Sequence, residues 1–138
     1  MSSETRLPHI LICDDDSNIR AILRAHLEEH ECTIVEAIDG EQGLEAILVE
    51  KPDLVLLDVM MPQLNGWEIA KYVRMKQELK ATKIFMLTAI GSKVNELTSP
   101  LYGADAYLDK PFDLEELDAT IGKLLNDAGL AWKERDAE

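Results

Sequence analysis

The sequence predicts an α/β fold in which helices cover both faces of a parallel β-sheet. Five short apolar segments alternate with five longer amphipathic segments along the chain, which is the pattern of repeated strand–helix units. The third apolar segment, residues 53–57, is apolar throughout its middle, as expected of a strand buried on both faces. The 138 residues suffice for one domain with its own core and leave little room for a second.

The first half of the chain is predicted to form three strands and two helices. Compact apolar runs predict the strands, at residues 10–13, 33–36 and 53–57. Apolar residues at helical spacing predict the helices, at residues 17–29 and 40–50. Either Asp16 or Ser17 is positioned to cap the first of these helices, since both side chains can accept a bond from its first free N–H groups.

The second half is predicted to add two strands and three helices. The strands are expected at residues 84–87 and 106–108, and the helices at residues 65–77, 93–102 and 113–126. Pro100 lacks a backbone donor and clashes with the preceding turn, so the fourth helix should start late, kink or end early. Asp113 and Glu116 resemble a capping box at the start of the last helix.

Charge and cysteine content exclude several classes of protein. Asp and Glu number 27 against 14 Lys and Arg, and the net charge of −13 disfavours direct binding to nucleic acid or to anionic membranes. Cys13 and Cys32 do not make a disulfide framework, and Cys13 is expected to be a buried free thiol. The chain has no apolar run long enough to span a bilayer and no signal peptide, so a cytoplasmic location without membrane insertion is expected.

Polar residues follow four of the predicted strands: Asp14 and Asp15 the first, Asp58 the third, Thr88 the fourth and Lys110 the fifth. Ligands of open parallel sheets bind beyond the carboxyl ends of the strands, so these side chains should be considered together. Converging carboxylates repel one another unless a cation lies between them, and oxygen ligands favour a hard ion such as Mg²⁺. With an ammonium and a hydroxyl nearby, the site could cradle a phosphoryl group, and one carboxylate could be its nucleophile.

These residues and their order resemble the receiver domain of two-component response regulators. The similar segments are Asp14-Asp15, Leu57-Asp58-Val-Met-Met-Pro62 with Asn65-Gly66, Thr88-Ala89 and Lys110-Pro111-Phe112, within about residues 8–126. The resemblance implies a flavodoxin-like (βα)5 fold, doubly wound, with strand order 2-1-3-4-5. It places a receiver domain at residues 1–126 and a C-terminal extension without an output domain at residues 127–138. This extension is expected either to lengthen the last helix, with Leu130 and Trp132 docked, or to be loose.

The resemblance also implies which residues carry the chemistry. Asp58 would accept a phosphoryl group from a phosphohistidine on a sensor histidine kinase or a histidine phosphotransfer protein. Asp14, Asp15 and Asp58 would hold Mg²⁺ or Mn²⁺, together with the backbone carbonyl of Met60.

A conformational switch and an output face follow from the same resemblance. Lys110, aimed by a cis-proline at Pro111, would pair with a phosphoryl oxygen. Thr88 would move to hydrogen-bond the phosphoryl group, Tyr107 would swing inward with it, and the small Ala89 would leave the group accessible. The signal would pass to a downstream protein through the fourth helix, the fifth strand and the last helix, although Pro100 makes this face a departure from the family.

Met60 and Ile90 are the second departure. They lie two residues beyond Asp58 and Thr88, where family members with polar side chains tend to position a hydrolytic water. Two apolar side chains would crowd that water out, so we predict slow self-dephosphorylation.

Three other functions compete with a receiver. A Mg²⁺-dependent phosphatase of the haloacid-dehalogenase type also uses an Asp nucleophile, but it normally has a second acid two residues later, where this chain has Met60. A flavodoxin-like cofactor carrier needs a phosphate loop where residues 14–16 are acidic. A degenerate receiver that only docks would not need the site residues. The chain is therefore predicted to be a stand-alone signalling receiver, not an enzyme, which catalyses only its own phosphorylation and slow dephosphorylation.

The remaining polar and aromatic residues are expected to have ordinary structural roles. His9, His26 and His30 are expected to face solvent or cap helices rather than bind a metal, with no pair at ligand spacing. Trp67 is expected to be a packing residue on the third helix.

Overall fold

All five predicted strands form one parallel sheet in the computed structural model, which describes residues 6–136. The strands are β1 (His9–Cys13), β2 (Thr33–Ala37), β3 (Leu54–Leu57), β4 (Lys83–Thr88) and β5 (Ala106–Asp109). Their spatial order is β2-β1-β3-β4-β5, and every neighbouring pair is parallel. The predicted flavodoxin-like fold and strand order are therefore confirmed.

In the described part of the chain, five α-helices connect and follow the strands: α1 (Ser17–Leu27), α2 (Gly40–Glu50), α3 (Gly66–Met75), α4 (Ser92–Thr98) and α5 (Leu114–Asp127). α1 and α3 each end two residues before their predicted limits, and α5 runs one residue further. No helix between residues 6 and 136 combines the length and the apolar character that crossing a membrane requires.

The core has two halves, one on each face of the sheet. Side chains of a strand point alternately to opposite faces, so Ile10 and Ile12 of β1 join one half while Leu11 and Cys13 join the other. Residues of α1 and α5 cover the first half, and residues of α2 and α3 cover the second. This double burial explains why the strand segments are almost continuously apolar.

Both cysteines are buried free thiols, as predicted for Cys13. Burial, together with repulsion from nearby carboxylates such as that of Asp14, raises the pKa of Cys13 to about 12. The Cys13 thiol therefore stays protonated at neutral pH and packs as a small apolar group.

Pro100 ends α4 early, in agreement with the prediction. The α-helix stops at Thr98, and a 3-10 helix continues from Ser99 to Tyr102 with Pro100 in its first turn. The missing N–H costs nothing there, because the first donors of a helix have no partner within it. The single predicted helix over residues 93–102 is thus two short elements, of which α4 has seven residues.

The helix caps only partly follow the prediction. Asp16, and not Ser17, caps α1, and its carboxylate accepts from the N–H of Asn18 at 2.8 Å. Asp113 caps α5 by accepting from the N–H of Glu115 at 2.8 Å. The predicted capping box between Asp113 and Glu116 is therefore wrong. A reciprocal capping box instead opens α3, between Asn65 and Glu68.

The C-terminal extension docks on the end of α1. Leu130 is buried in the core half beneath α1 and α5, and the Trp132 ring stacks on His30 at 4.0 Å between centroids. The backbone N–H of Glu31 donates to the carbonyl of Lys133 at 2.8 Å. Leu130 and Trp132 are therefore docked, but the described part of the extension does not lengthen α5, which ends at Asp127. Residues 1–5 of the predicted domain, and residues 137–138 of the extension, lie outside the described residues.

Candidate functional site

Three acids meet at the carboxyl edge of the sheet. Asp14 and Asp15 follow β1, and Asp58 follows β3. Because β1 and β3 are neighbours, the turns after them lie side by side. Carboxylate oxygens of the three residues lie within 4.8 Å of one another. The structure therefore brings together the acids that the strand-end argument singled out.

The three acids differ in burial. Asp14 is 2% exposed and Asp58 is 5% exposed, whereas Asp15 is open to solvent. Backbone donors hold the two buried carboxylates, since Asp14 Oδ1 accepts from the N–H of Asp16 at 2.9 Å and Asp58 Oδ1 accepts from the N–H of Met60 at 3.2 Å. The pocket thus has a buried floor and an exposed rim at Asp15.

Lys110 closes the other side of the pocket. Its Nζ lies 2.7 Å from Asp14 Oδ2 and 3.5 Å from Asp58 Oδ2. The residue directly follows β5, and the Lys110–Pro111 peptide bond is cis. One ammonium therefore faces two buried carboxylates, which leaves the pocket with an excess of negative charge.

The structure places Thr88 and Tyr107 on neighbouring strands of the same edge. Thr88 ends β4 and is fully buried, and its hydroxyl lies close enough to Asp58 to affect that carboxyl but has no partner in full hydrogen-bond geometry among residues 6–136. Tyr107 lies on β5 and is 38% exposed. A buried hydroxyl without a partner is unusual, and it suits an oxygen acceptor that enters the site.

The electrostatics of the pocket disfavour a charged Asp58. Burial raises the pKa of the Asp58 carboxyl above its ordinary value of 3.8, and repulsion from Asp14 raises it further. Lys110, the N–H of Met60 and the nearby Thr88 hydroxyl lower that pKa in part. A cation bound among the acids would remove the repulsion and hold all three carboxylates ionised.

We predict that Asp58→Asn stabilises the protein in metal-free buffer at neutral pH. Because folding raises the pKa of Asp58, the folded state binds the proton more tightly than the unfolded state. The free energy of unfolding should therefore fall as the pH rises above 3.8, until the raised pKa is passed. Asn does not titrate, so the free energy of unfolding of the variant should lack this decrease. Thermal unfolding in EDTA, measured from about pH 4 to about pH 8, checks the difference.

The matched control for this prediction is Mg²⁺ itself. Added at neutral pH, it should raise the melting temperature of the wild type more than that of Asp58→Asn, because a ligand stabilises the state that binds it. The same pH dependence in both proteins would contradict the electrostatic account.

The donor set of the pocket fits a hard divalent cation. Asp14, Asp15 and Asp58 offer only carboxylate oxygens, and the exposed rim leaves space for water ligands. The peptide N–H of Met60 is bonded to Asp58, which puts this backbone at the site, while its side chain is 59% exposed. Mg²⁺ typically takes one or two carboxylates and keeps waters, so the residues present are suited to it.

Met60 and Ile90 line a shallow cleft beside the acids, together with Trp67. The Trp67 ring stacks on Tyr102 at 5.7 Å, and its indole N–H donates to the Ser99 hydroxyl at 3.4 Å. Trp67 is therefore a packing residue on α3, as expected, and it is close enough to the site to report on it by fluorescence.

The expectation for the histidines is wrong for His30. Its side chain is buried, with the residue 3% exposed, and its ring lies between His26 and Trp132. His26 and His30 are four residues apart, which is a ligand spacing that the sequence interpretation overlooked. The periodicity alone could have revealed the pair, whereas the contact with Trp132 could not be read from it.

A buried amide is a further residue that the sequence did not reveal. Asn95 of α4 is fully buried and donates through Nδ2 to Asp109 Oδ1 at 3.2 Å. It accepts a hydrogen bond from the Ser99 hydroxyl. This link ties α4 to the residue that precedes Lys110.

Comparison with known proteins agrees with this geometry. Residues 10–122 match the family model of the response regulator receiver domain. A probable transcriptional regulator of Cyanophora paradoxa is 41% identical over 116 residues, which cover 84% of this chain and 47% of that protein. A regulatory protein of alkaline phosphatase synthesis from Bacillus subtilis is 37% identical over 122 residues, which cover 88% of this chain and 50% of that protein.

Solved structures agree as well. A chemotaxis response regulator of Vibrio cholerae is 32% identical and superposes with a TM-score of 0.80, covering 87% of this chain and all of that one. The chain spans about half the length of the two curated relatives named above. From the matched family model, the strand order and the site at the carboxyl edge, we conclude that this chain belongs to the receiver domain family of two-component response regulators.

Proposed function

We propose that Asp58 accepts a phosphoryl group from a phosphohistidine and that the chain signals through the resulting change of conformation. One observation carries the proposal: Asp58 is a buried carboxylate among two further acids, with the Lys110 ammonium 3.5 Å from its Oδ2. The donor would be a sensor histidine kinase or a histidine phosphotransfer protein, as is general for the family. The proposal includes a cytoplasmic location.

The transfer step conserves atoms and charge in a simple way. An oxygen of the Asp58 carboxylate attacks phosphorus, an O–P bond forms, and the P–N bond to the donor imidazole breaks with its electron pair returning to nitrogen. Lys110 lies beside the acceptor carboxylate and would pair with an oxygen of the transferred group. Asp14, Asp15, Asp58 and the Met60 carbonyl would hold a Mg²⁺ or Mn²⁺ ion, which would supply charge neutralisation at the phosphoryl group.

The switch is proposed to start at Thr88. Its buried hydroxyl would donate to a phosphoryl oxygen and so gain the hydrogen bond it otherwise lacks. Tyr107 on the neighbouring strand β5 would then move from its exposed position toward the space that Thr88 vacates. Phosphorylation would in this way shift the population between two conformers.

The face formed by α4, β5 and α5 is proposed to contact a downstream protein. Val94, Leu97 and Leu101 are large apolar side chains exposed on α4 and the 3-10 helix that follows it, and Tyr107 lies next to them on β5. Such a group of exposed apolar side chains favours a protein partner. Because Pro100 divides this segment, the α-helical part of the face is short.

The proposal assigns the receiver to residues 1–126 and its C-terminal extension to residues 127–138. The relatives named as transcriptional regulators are about twice as long as the matched region, so that named role belongs to the longer proteins. The net charge of −13 is the argument against direct nucleic-acid contact by this chain.

Phosphorylation by acetyl phosphate tests the proposed function. With Mg²⁺ present, the intact mass should increase by one phosphoryl group per chain, and EDTA should suppress the increase. The haloacid-dehalogenase alternative predicts many turnovers of an aryl phosphate ester, whereas a receiver modifies itself once and then hydrolyses slowly. Sustained ester turnover without a labelled intermediate would refute the receiver proposal.

We predict that Met60→Asn shortens the lifetime of the phosphorylated protein. Asn can position a water molecule near the acyl phosphate, whereas the wild-type Met60 and Ile90 present apolar groups on that side of the site. Loss of the phosphoryl mass after removal of acetyl phosphate measures the lifetime. Met75→Asn, a change at an exposed methionine on α3, is the matched control and should leave it unchanged. A wild-type lifetime of seconds that Met60→Asn leaves unchanged or lengthens would contradict the prediction.

A further inference from the structure

A second cluster of ligand-type side chains lies away from the acid pocket, on the face covered by α1 and α5. His26 is on the last turn of α1, His30 follows that helix, and Asp118 is on α5. Two imidazole nitrogens and a carboxylate oxygen of these residues lie within 4.8 Å of one another. The cluster therefore has the ligand types and the spacing of a metal site of mixed nitrogen and oxygen donors.

The contacts of His30 fix the orientation of its ring and place Nε2 beside Asp118. His30 Nδ1 lies 3.3 Å from the backbone carbonyl oxygen of His26, which can only accept, so Nδ1 carries the proton. Nε2 lies 3.2 Å from Asp118 Oδ1, so a lone pair on this nitrogen would face a carboxylate oxygen. Two electron-rich atoms so close require a positive charge between them, either a proton or a metal ion.

The surroundings hold these groups in place. The indole N–H of Trp132 donates to Asp118 Oδ1 at 2.9 Å, and its ring lies flat on His30 with 3° between the two planes. Partial burial opposes ionisation of Asp118, but the bonds from Trp132 and His26 hold its pKa below the ordinary value. Carboxylate and imidazole ligands of metals are generally oriented by such outer hydrogen bonds.

We propose that His26, His30 and Asp118 bind a Zn²⁺ ion. Two imidazole nitrogens with one carboxylate oxygen suit zinc, whereas the all-oxygen pocket around Asp58 suits Mg²⁺. Three protein ligands leave the fourth tetrahedral position to water. The ion would need both Nε2 atoms unprotonated, so His26 would move its ring proton to Nδ1 and binding would weaken at acid pH.

Zinc at this site would also fix the C-terminal extension. Trp132 contacts both His30 and Asp118, so an ion that rigidifies these ligands would hold the extension against α1. The fluorescence of Trp132 is therefore a readout of binding that does not depend on phosphorylation.

The test is calorimetric titration of the tag-free full chain with ZnCl₂ in excess Mg²⁺, which occupies the acid pocket. We expect one Zn²⁺ per chain, and at least about 100-fold weaker binding in His26→Gln and in Asp118→Asn, because each removes a ligand. Trp132→Phe keeps the stacked ring but loses the N–H, and should weaken binding about tenfold. His9→Gln is the matched control and should bind as the wild type does, since the His9 imidazole pairs with Thr33 and Glu50, away from the cluster.

A second measurement avoids dependence on these variants. In Trp67→Phe, where Trp132 is the one remaining tryptophan, Co²⁺ should quench its fluorescence and show the visible absorption of a four-coordinate ion. Zinc binding that is lost in Asp15→Asn but kept in Asp118→Asn would place the ion in the acid pocket and overturn the proposal. Absence of saturable binding at neutral pH would overturn it too, and would leave a proton between His30 and Asp118.

Discussion

Replacing Asp58 by Asn is expected to abolish phosphorylation, with no labelled chain under conditions that label the wild type fully. The amide has nearly the shape of the carboxylate, but it is neutral and is not a nucleophile toward phosphorus. The N–H of Met60 can still donate to the amide oxygen, so the pocket keeps its shape. Intact-mass measurement after treatment with acetyl phosphate and Mg²⁺ checks the prediction.

Asp16→Asn is the matched control for this loss. Asp16 lies close to Asp14 in sequence but caps α1, and Asn caps a helix as well as Asp does. This variant should be phosphorylated at the wild-type rate. A full phosphoryl mass on Asp58→Asn would mean that Asp14 or Asp15 is the acceptor, and the proposed role of Asp58 would be wrong.

Lys110→Ala is expected to lower both the stability of the protein in metal-free buffer and the rate of phosphorylation, and Mg²⁺ is expected to restore only the stability. The change leaves Asp14 and Asp58 buried without their ammonium partner, which should cost about 3 kcal/mol in metal-free buffer at neutral pH. Mg²⁺ should restore most of that stability, because the ion replaces the missing positive charge. The rate of phosphorylation should stay about 100-fold low, since the ion does not replace a fixed donor to the phosphoryl group.

Lys83→Ala controls for the loss of a lysine next to the sheet. Lys83 begins β4 at the opposite edge, far from the acids along the strand direction, so its removal should change neither property. Chemical denaturation with and without Mg²⁺ gives the stabilities, and the time course of intact mass gives the rates. Wild-type phosphorylation kinetics in Lys110→Ala would refute a role for this ammonium at the phosphoryl group.

Much of the fold was predictable because its signals are local. Burial on both faces makes each strand apolar, and a helix on the surface repeats its apolar residues at helical spacing, so alternating segments can be found without distant contacts. Errors fall where competing local signals are similar in strength. Asp16 and Ser17 are both good caps, and the chain direction at the start of α1 selected Asp16. The capping box at Asn65 was missed although Asn65 and Glu68 have the spacing that predicts one.

The acids of the candidate site were also predictable, because a parallel sheet brings the residues after its strands to one edge. The strand-end rule could not distinguish Asp15, which is exposed, from Asp14 and Asp58, which are buried. That difference depends on how the turns after β1 and β3 pack together. The raised pKa of Asp58 and the lone hydroxyl of Thr88 follow from the same packing.

The order of strands and helices, and the acids placed at the strand ends, were determined by the amino-acid sequence alone, since short-range patterns of burial encode them. Only the tertiary structure decided that Lys110 reaches Asp14 across 96 positions of sequence, and that His26 reaches Asp118 across 92. The physical reason is that a hydrogen bond requires two groups within a few ångströms, and only the folded chain sets the distance between residues so far apart in sequence.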